Sequence, residues 1–165
     1  MRRKDREMDE AFALGIADKC EYAVLSMTDG GGAPYCVPIS IVRDGRDVFF
    51  HCAREGKKVD AMRGKAEVCI ACVGSVRPAA DKFTTEFESA IIRGRAEEVL
   101  EDAEKIRALR LLCQRYTPAN MHNFDAAVSK SLARPAVWKV AIREITGKRK
   151  KYDGEGREMK FGRTQ

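Results

Sequence analysis

The segment from Val48 to Arg63, VFFHCAREGKKVDAMR, gathers the residue types best able to do chemistry. His51 closes an apolar run that reads as a strand, a glycine turn follows, and two lysines open what reads as a helix. A helix N-terminus presents unpaired N–H groups and partial positive charge. Lys57 and Lys58 would add full charges beside that natural anion seat, and Gly56 would let the backbone approach the anion closely. The combination predicts a phosphate site at Gly56, Lys57 and Lys58; the plainer alternative is a solvated helix start. His51 is the candidate catalytic group because imidazole titrates near neutral pH. Its plainer alternative is a hydrogen-bonded strand-end residue. Cys52 points the opposite way on a regular strand, which argues against a His51–Cys52 nucleophilic pair.

Other reactive side chains read as structural. Cys69 and Cys72 have the CxxC spacing of a metal or redox site but lie in the apolar run Val68 to Val73. Residues three apart on a strand face opposite ways, and neither a second CxxC nor a nearby histidine completes four ligands. His122 lies in an undecided stretch and reads as structural or solvated. Trp138 sits in an alternating strand, either as core or as a cap on a partner subunit's cofactor.

The elements that must position these groups are mostly short strands. Asp5 to Lys19 reads as an amphipathic helix ending near Gly15 or Lys19. Tyr22 to Met27 and Pro34 to Val42 flank an Asp-Gly cluster and read as a hairpin. A second Asp-Gly turn, Asp44-Gly45, leads into Asp47 to His51, making a three-strand meander. Pro38 cannot donate to a ladder, so its strand belongs at a sheet edge or bulge. Ala53 to Arg63 reads as a loop entering a helix with Val59 and Met62 inward and Gly64 at its C-terminus. Val68 to Val73 is the next strand and Gly74 to Ala80 a connection. Phe83 to Val99 is a long strand with Phe87, Ser89, Ile91 and Arg93 on one face. Glu101 to Cys113 reads as a helix with Ile106, Leu109 and Cys113 inward, Pro118 to Ser131 is undecided, and Pro135 to Ile145 is the last strand. Hairpins without strand-helix-strand alternation argue against a parallel sheet. The fold class expected is mainly β with flanking helices: about six antiparallel strands closing into a small Greek-key barrel.

The 165 residues fit one domain, with a basic tail from 148 to 165 expected to be mobile. No apolar run approaches the length of a membrane span, and the charged N-terminus lacks the apolar stretch of a secretory signal. A cytoplasmic location with six reduced cysteines is therefore expected. The net charge of +6 invites nucleic-acid binding. Much of the excess sits at the two ends, so a solvated terminus is the preferred explanation and nucleic acid is not an expected partner.

Four blocks carry a family resemblance when taken in order: Arg2 to Arg6, Asp29 to Ser40, Phe50 to Lys58, and Ser89 to Ala96. Together they resemble the nitroimidazole-resistance branch of the pyridoxamine 5'-phosphate oxidase-like flavoproteins, over roughly residues 1 to 146. The resemblance implies a split β-barrel homodimer holding FMN at the subunit interface. It implies that Lys57 and Lys58 hold the phosphate and that His51 lies against the flavin or a small ligand beside it. The backbone of Val37, Pro38, Ile39 and Ser40 would face the isoalloxazine edge, and Ser89 would be a side-chain contact. Arg3 would reach the phosphate from the N-terminal segment, and Trp138 would cap the partner's flavin. A protonated His51 near the ring would raise its potential. The arginine-rich substrate determinants of the oxidases are not recognisable near the C-terminus, so vitamin B6 oxidation is not expected. The expected activity is flavin-dependent reduction of small molecules such as nitroaromatics, with electrons from NADH or NADPH or from a partner flavin system. The alternatives are a non-enzymatic flavin or heme module on the same barrel, and a basic nucleic-acid-associated protein.

Overall fold

The computed structural model describes residues 1–162. Asp9 accepts a hydrogen bond from the Phe12 N–H and so starts helix α1 at Glu10–Lys19, later than the amphipathic pattern suggested. Ahead of it lie a 3-10 turn, Lys4–Arg6, and a two-residue strand β1, Glu7–Met8. Strands β2 (Ala23–Thr28) and β3 (Pro34–Ile39) form the expected hairpin. Next come β4 (Val42–Asp44), β5 (Asp47–Cys52) and helix α2 (Lys57–Gly64). The long strands β6 (Glu67–Ala79) and β7 (Thr84–Glu98) form a hairpin. Helix α3 (Asp102–Tyr116), a 3-10 turn (Pro118–Asn123), helix α4 (Phe124–Ser131) and strand β8 (Ala136–Lys150) complete the described chain.

The eight strands make one antiparallel sheet in the order β3-β2-β6-β7-β8-β5-β4, with β1 on β8. Six strands were expected; the increase comes from β1 and from the division of Pro34 to Val42 into two strands. The three-strand meander does not form. β3 pairs with β2 at one edge while β4 and β5 pair at the other, with β5 against β8. Pro34 and Pro38 have the same parity, so both remove donors from one edge of β3, and such a strand takes a neighbour on one side only. Only Ser40 and Ile41 separate β3 from β4, so the two edges of the curled sheet meet at this link without pairing. The barrel is split there. Tyr116 from α3 closes the gap: its hydroxyl accepts from the Ile41 N–H at 3.0 Å and donates to the Ile41 carbonyl at 2.9 Å.

The interior is filled by alternate residues of the strands, among them Leu25, Phe50, Ile70, Ile92 and Val140. Ala13, Ile16 and Ala17 of α1 close the interior near Gly74 and Gly147, and Val59 and Met62 of α2 join the same core. The outer face of the sheet has two different regions. Over β4, β5 and β8, helix α3 covers Val42, Phe49 and Val137 with Ala108 and Leu112. Over β2, β6 and β7, Val24, Ala71 and Ile91 stand side by side, and among the described residues no helix buries this face as α3 buries the other. Val73 and Ile91 there are 50% and 37% exposed.

Two further expectations are corrected. Gly74 to Ala80 is not a connection, because β6 continues through it past an irregularity between Val73 and Val76. The basic run Lys148 to Lys150, expected to begin a mobile tail, is the end of β8 paired with Phe87 to Ser89, and Lys150 is buried. Beyond it the chain folds back on the N-terminus. Arg6 binds Glu158 at 2.7 Å, Lys160 binds Asp5 at 2.8 Å, and the Phe161 N–H donates to the Asp5 carbonyl at 3.0 Å. The last three residues of that tail, 163–165, lie outside the described residues.

Candidate functional site

β5 ends at Cys52 and the chain turns through Gly56 into α2. Gly56 has φ +118°, a conformation that residues with a Cβ rarely adopt, and open space surrounds the position its Cβ would take. Among the described residues no side chain caps α2. By contrast, α1 and α3 are closed by Asp9 and Glu101, each accepting from an N–H of its first turn. The start of α2 is therefore a short stretch of donors with a glycine beside it, where an anion can approach the backbone. Lys57 and Lys58 lie on this turn with different surroundings. Lys57 is exposed, pairs with Asp29 at 3.1 Å and stands 4.7 Å from the Tyr35 ring centre. Lys58 is half-buried, with Nζ 5.9 Å from the Phe50 ring centre.

Asp29, legible in the sequence only as a turn residue, is thus a missed member of this cluster. Its carboxylate accepts from Lys57 and from the Gly31 and Ala33 N–H groups, and Lys57 above all holds its pKa below the usual carboxylate range. An arriving phosphate would compete with Asp29 for Lys57. Lys58 has no carboxylate within ion-pair distance among the described residues.

His51 lies on the outer face of β5, beside Phe49 and opposite Val137 of β8. With Ser40 it lines a cavity of about 370 Å³ between the barrel and helices α3 and α4. The far wall is apolar, built from Leu109, Leu112, Phe124, Val128 and Leu132, while Tyr116 and Thr117, whose hydroxyls bond to Ile41 and the Cys113 carbonyl, complete the lining. Sequence reasoning missed this wall. Leu109 and Leu112 follow helical spacing in α3, but α4 lay in the undecided stretch and the fold-back between the helices has no local signal. Desolvation first, and the Lys58 ammonium second, lower the His51 pKa from 6.5. Both causes favour the neutral imidazole, with one donor and one acceptor nitrogen, over the protonated form.

The remaining expected residues fall in several places. Val37 packs on the core and Ile39 is buried, so their side chains face inward, while Pro38 is exposed on the opposite face of the edge strand. Ser40 sits in the split. Trp138 is 2% exposed and packs inside the barrel as the cross-strand partner of Phe50, which corrects its assignment as a cofactor cap. Its indole nitrogen is buried without a hydrogen-bond partner. His122 is held by the Ala119 carbonyl and Asn123, as a structural residue would be. Cys69 and Cys72 face opposite sides of β6, half-buried outside and buried inside, and no group of three or more metal-ligating side chains occurs among the described residues.

Ser89 and Arg3 lie far from His51 within one chain. Ser89 is opposite Lys148 and His51 opposite Val137, so the two pairings are separated by roughly 35 Å of β8 at about 3.3 Å per residue. Arg3 is engaged by Asp5 and Glu158 near that same distant end.

The family model for pyridoxamine 5'-phosphate oxidase matches residues 9–149, which takes in β2 to β7, all but the last residue of β8, the split and the whole α2 turn. The chain belongs to the pyridoxamine 5'-phosphate oxidase family. Within the solved structures of this fold, a candidate 5-nitroimidazole antibiotic resistance protein from Bacteroides thetaiotaomicron is 26% identical, with TM-score 0.73 over 86% of this chain and 85% of that one. The resemblance to the nitroimidazole-resistance branch rests on that relationship. The flavocytochrome Anf3 from Azotobacter vinelandii is 23% identical, with TM-score 0.72 over 95% of this chain and 79% of that one. The FAD and heme binding protein from Mycobacterium smegmatis is 17% identical, with TM-score 0.74 over 98% and 77%. These two share the fold of the oxidase family. Comparison with curated proteins returns no match. Among the described residues no helix is long and apolar enough to cross a membrane.

Proposed function

We propose that this member of the oxidase family is an FMN-binding homodimer that reduces small, uncharged acceptors such as nitroaromatic compounds. The observation that carries the reading is the uncapped start of α2, where Gly56 at positive φ and Lys58, free of a carboxylate partner among the described residues, adjoin the strand that presents His51. A phosphate monoester dianion fits such a cradle: backbone N–H groups and ammonium groups supply charge-assisted donors. Bound flavin would supply the electron transfer, with NADH or NADPH as the reductant.

The chain's own residues position and select. Lys58 and the α2 donors would hold the phosphate, and Lys57 would join them by leaving Asp29. Neutral His51 would offer a hydrogen bond at the mouth of the apolar cavity without adding charge. Ser40, in the split, leaves backbone groups free of ladder partners, as a polar ring edge requires. The cavity wall would exclude water and favour a flat apolar molecule over a charged one.

A second copy of the chain accounts for two features at once. The bare outer face of β2, β6 and β7 offers contiguous apolar surface of the kind a subunit interface covers. A two-fold pairing on that face would also let Ser89 serve the partner's site, since Ser89 lies far from His51 in its own chain. The test is the visible spectrum of the purified protein during titration with FMN and, separately, FAD. Flavin bands with tighter binding of FMN, followed by bleaching with NADH or NADPH, are expected. No flavin uptake would overturn the reading, and a Soret band would replace it with a heme module.

A further inference from the structure

The cavity beside His51 has two unlike ends, and the difference selects a ligand. On the helix side each hydroxyl spends its proton on the backbone: Tyr116 on the Ile41 carbonyl at 2.9 Å, Thr117 on that of Cys113 at 3.2 Å and Ser131 on that of Ala127 at 2.8 Å. On the sheet side the His51 imidazole and the Ser40 hydroxyl have no hydrogen-bond partner among the described residues. The free polar groups of the lining are therefore gathered at one end. The other end offers carbon surface and one sulfur, that of Cys113.

The volume decides how much carbon is wanted. A cavity of about 150 Å³ walled by aliphatic side chains and phenylalanine is enough for benzene. This one measures about 370 Å³, so a single ring held at His51 would leave more than half of it empty. A void costs its lining the dispersion contacts it would otherwise make, so a ligand that fills the remainder binds more tightly than one that does not. At about 30 Å³ for each small group, the remainder takes an unbranched chain of about six carbons. The wall suits a chain better than a second ring. Leu109, Leu112, Val128 and Leu132 are aliphatic, and Phe124 carries the Arg110 guanidinium 4.3 Å from its ring centre, whereas stacking needs a free flat face. Arg110 also holds Asp125 at 2.7 Å, which fastens α4 to α3 as the cover of the cavity.

We infer that the His51 cavity binds a neutral aromatic acceptor carrying an unbranched aliphatic chain, with the oxygen of its head group at His51 and Ser40 and the chain between α3 and α4. Lys57 and Lys58 are not part of this lining, so the chain end and the proposed phosphate seat are separate. The fate of the head group rests on the flavin reading proposed above; the seating of the ligand depends on this cavity alone. Chain length is then what the site discriminates, and Val128 and Leu132 of the α4 region set the limit. A compact nitroaromatic binds as the head without the tail.

The test uses the full chain without flavin and again saturated with FMN, and the probes are para-nitrotoluene and the para-butyl, para-hexyl and para-octyl nitrobenzenes. Calorimetric titration gives each Kd. Protection of Cys113 from N-ethylmaleimide locates the ligand, because Cys113 lines the cavity and the tryptic peptide 111–115 holds no other cysteine. Affinity should rise by up to about fourfold per methylene as far as hexyl and level off at octyl. Val128→Phe and Leu132→Phe, each filling the chain end, should bring the hexyl compound down to the affinity of para-nitrotoluene. His51→Phe should weaken every member by a similar factor of about five. Circular dichroism and the unfolding midpoint identify variants that fold. Affinity that does not grow with chain length, or that grows equally in the folded phenylalanine variants, would overturn the inference. So would hexyl binding that leaves Cys113 unprotected, and so would loss of binding on loading with FMN, which would make the cavity the flavin's own seat. Chain-dependent binding in a protein that takes up no flavin would instead overturn the flavin reading and support the cavity as a ligand site.

Discussion

The two outer faces of the barrel carry similar apolar side chains and meet different fates. Over β4, β5 and β8, Val42, Phe49 and Val137 are buried by α3. Over β2, β6 and β7, Val73 and Ile91 remain half open, although Val24 and Ala71 beside them complete a similar patch. Burial of an apolar face requires a partner of matching area, and the chain supplies one only where α3 can fold back from the end of β7. The covered face, closed by helices set at a distance, becomes the wall of a cavity. The bare face is where the proposed second copy would dock.

The comparison can be broken most directly at the bare face. Replacing Val73 and Ile91 together with lysine should leave the barrel folded, since both side chains point outward, but should abolish the proposed dimer in light scattering and with it most of the proposed flavin affinity. A double variant that remains dimeric would move the seam elsewhere. On the covered side, the cradle beside the cavity predicts that Lys57→Ala with Lys58→Ala weakens FMN binding by about 1.5–3 kcal/mol for each charge-assisted hydrogen bond removed. The larger share should fall on Lys58, because Lys57 must leave Asp29 to act. Titrations of the two single variants check this, and equal effects would show that Asp29 does not compete.

Smaller effects test the cover itself. Leu112→Ala should cost about 2–5 kcal/mol in urea unfolding, as buried leucine truncations do, while enlarging the cavity that His51 lines. Tyr116→Phe should cost about 1–3 kcal/mol, because the Ile41 N–H and carbonyl in the split would be left without their partner. The smallest expected effect lies outside both faces, at the clasp between the chain ends. Arg6 hydrogen-bonding lowers the Glu158 pKa from 4.5 to about 2. A depressed carboxylate stabilises above its unfolded pKa and loses that contribution as pH falls through the folded value. The clasp should therefore loosen below about pH 4.5 and open near pH 2, read as lost exchange protection of the Phe161 amide while core amides stay protected.

Local patterns were legible where a single element carried them. The β2–β3 hairpin followed from its Asp-Gly cluster, α2 from its glycine and inward Val59 and Met62, and Pro38 correctly marked an edge strand. The meander failed because turn chemistry at Asp44-Gly45 fixes which residues form a hairpin and says nothing about which neighbour the preceding strand takes. The basic run at Lys148 was misjudged for a related reason. Charge patterning suggests a solvated tail, whereas pairing with Phe87 to Ser89 extends β8 through it.

The sequence by itself determined the antiparallel class, the open glycine start of α2 and the placement of His51 at a strand end, because each depends on residues close in the chain. Tertiary structure alone decided that Tyr116 bridges the split, that Asp29 engages Lys57, and that Arg115 meets the end of α1 at Ala17 and Cys20. It also decided the surroundings of His51, where desolvation and the nearby Lys58 ammonium lower the imidazole pKa. Such interactions join residues tens of positions apart, and their energies exist only once the barrel has closed around its core.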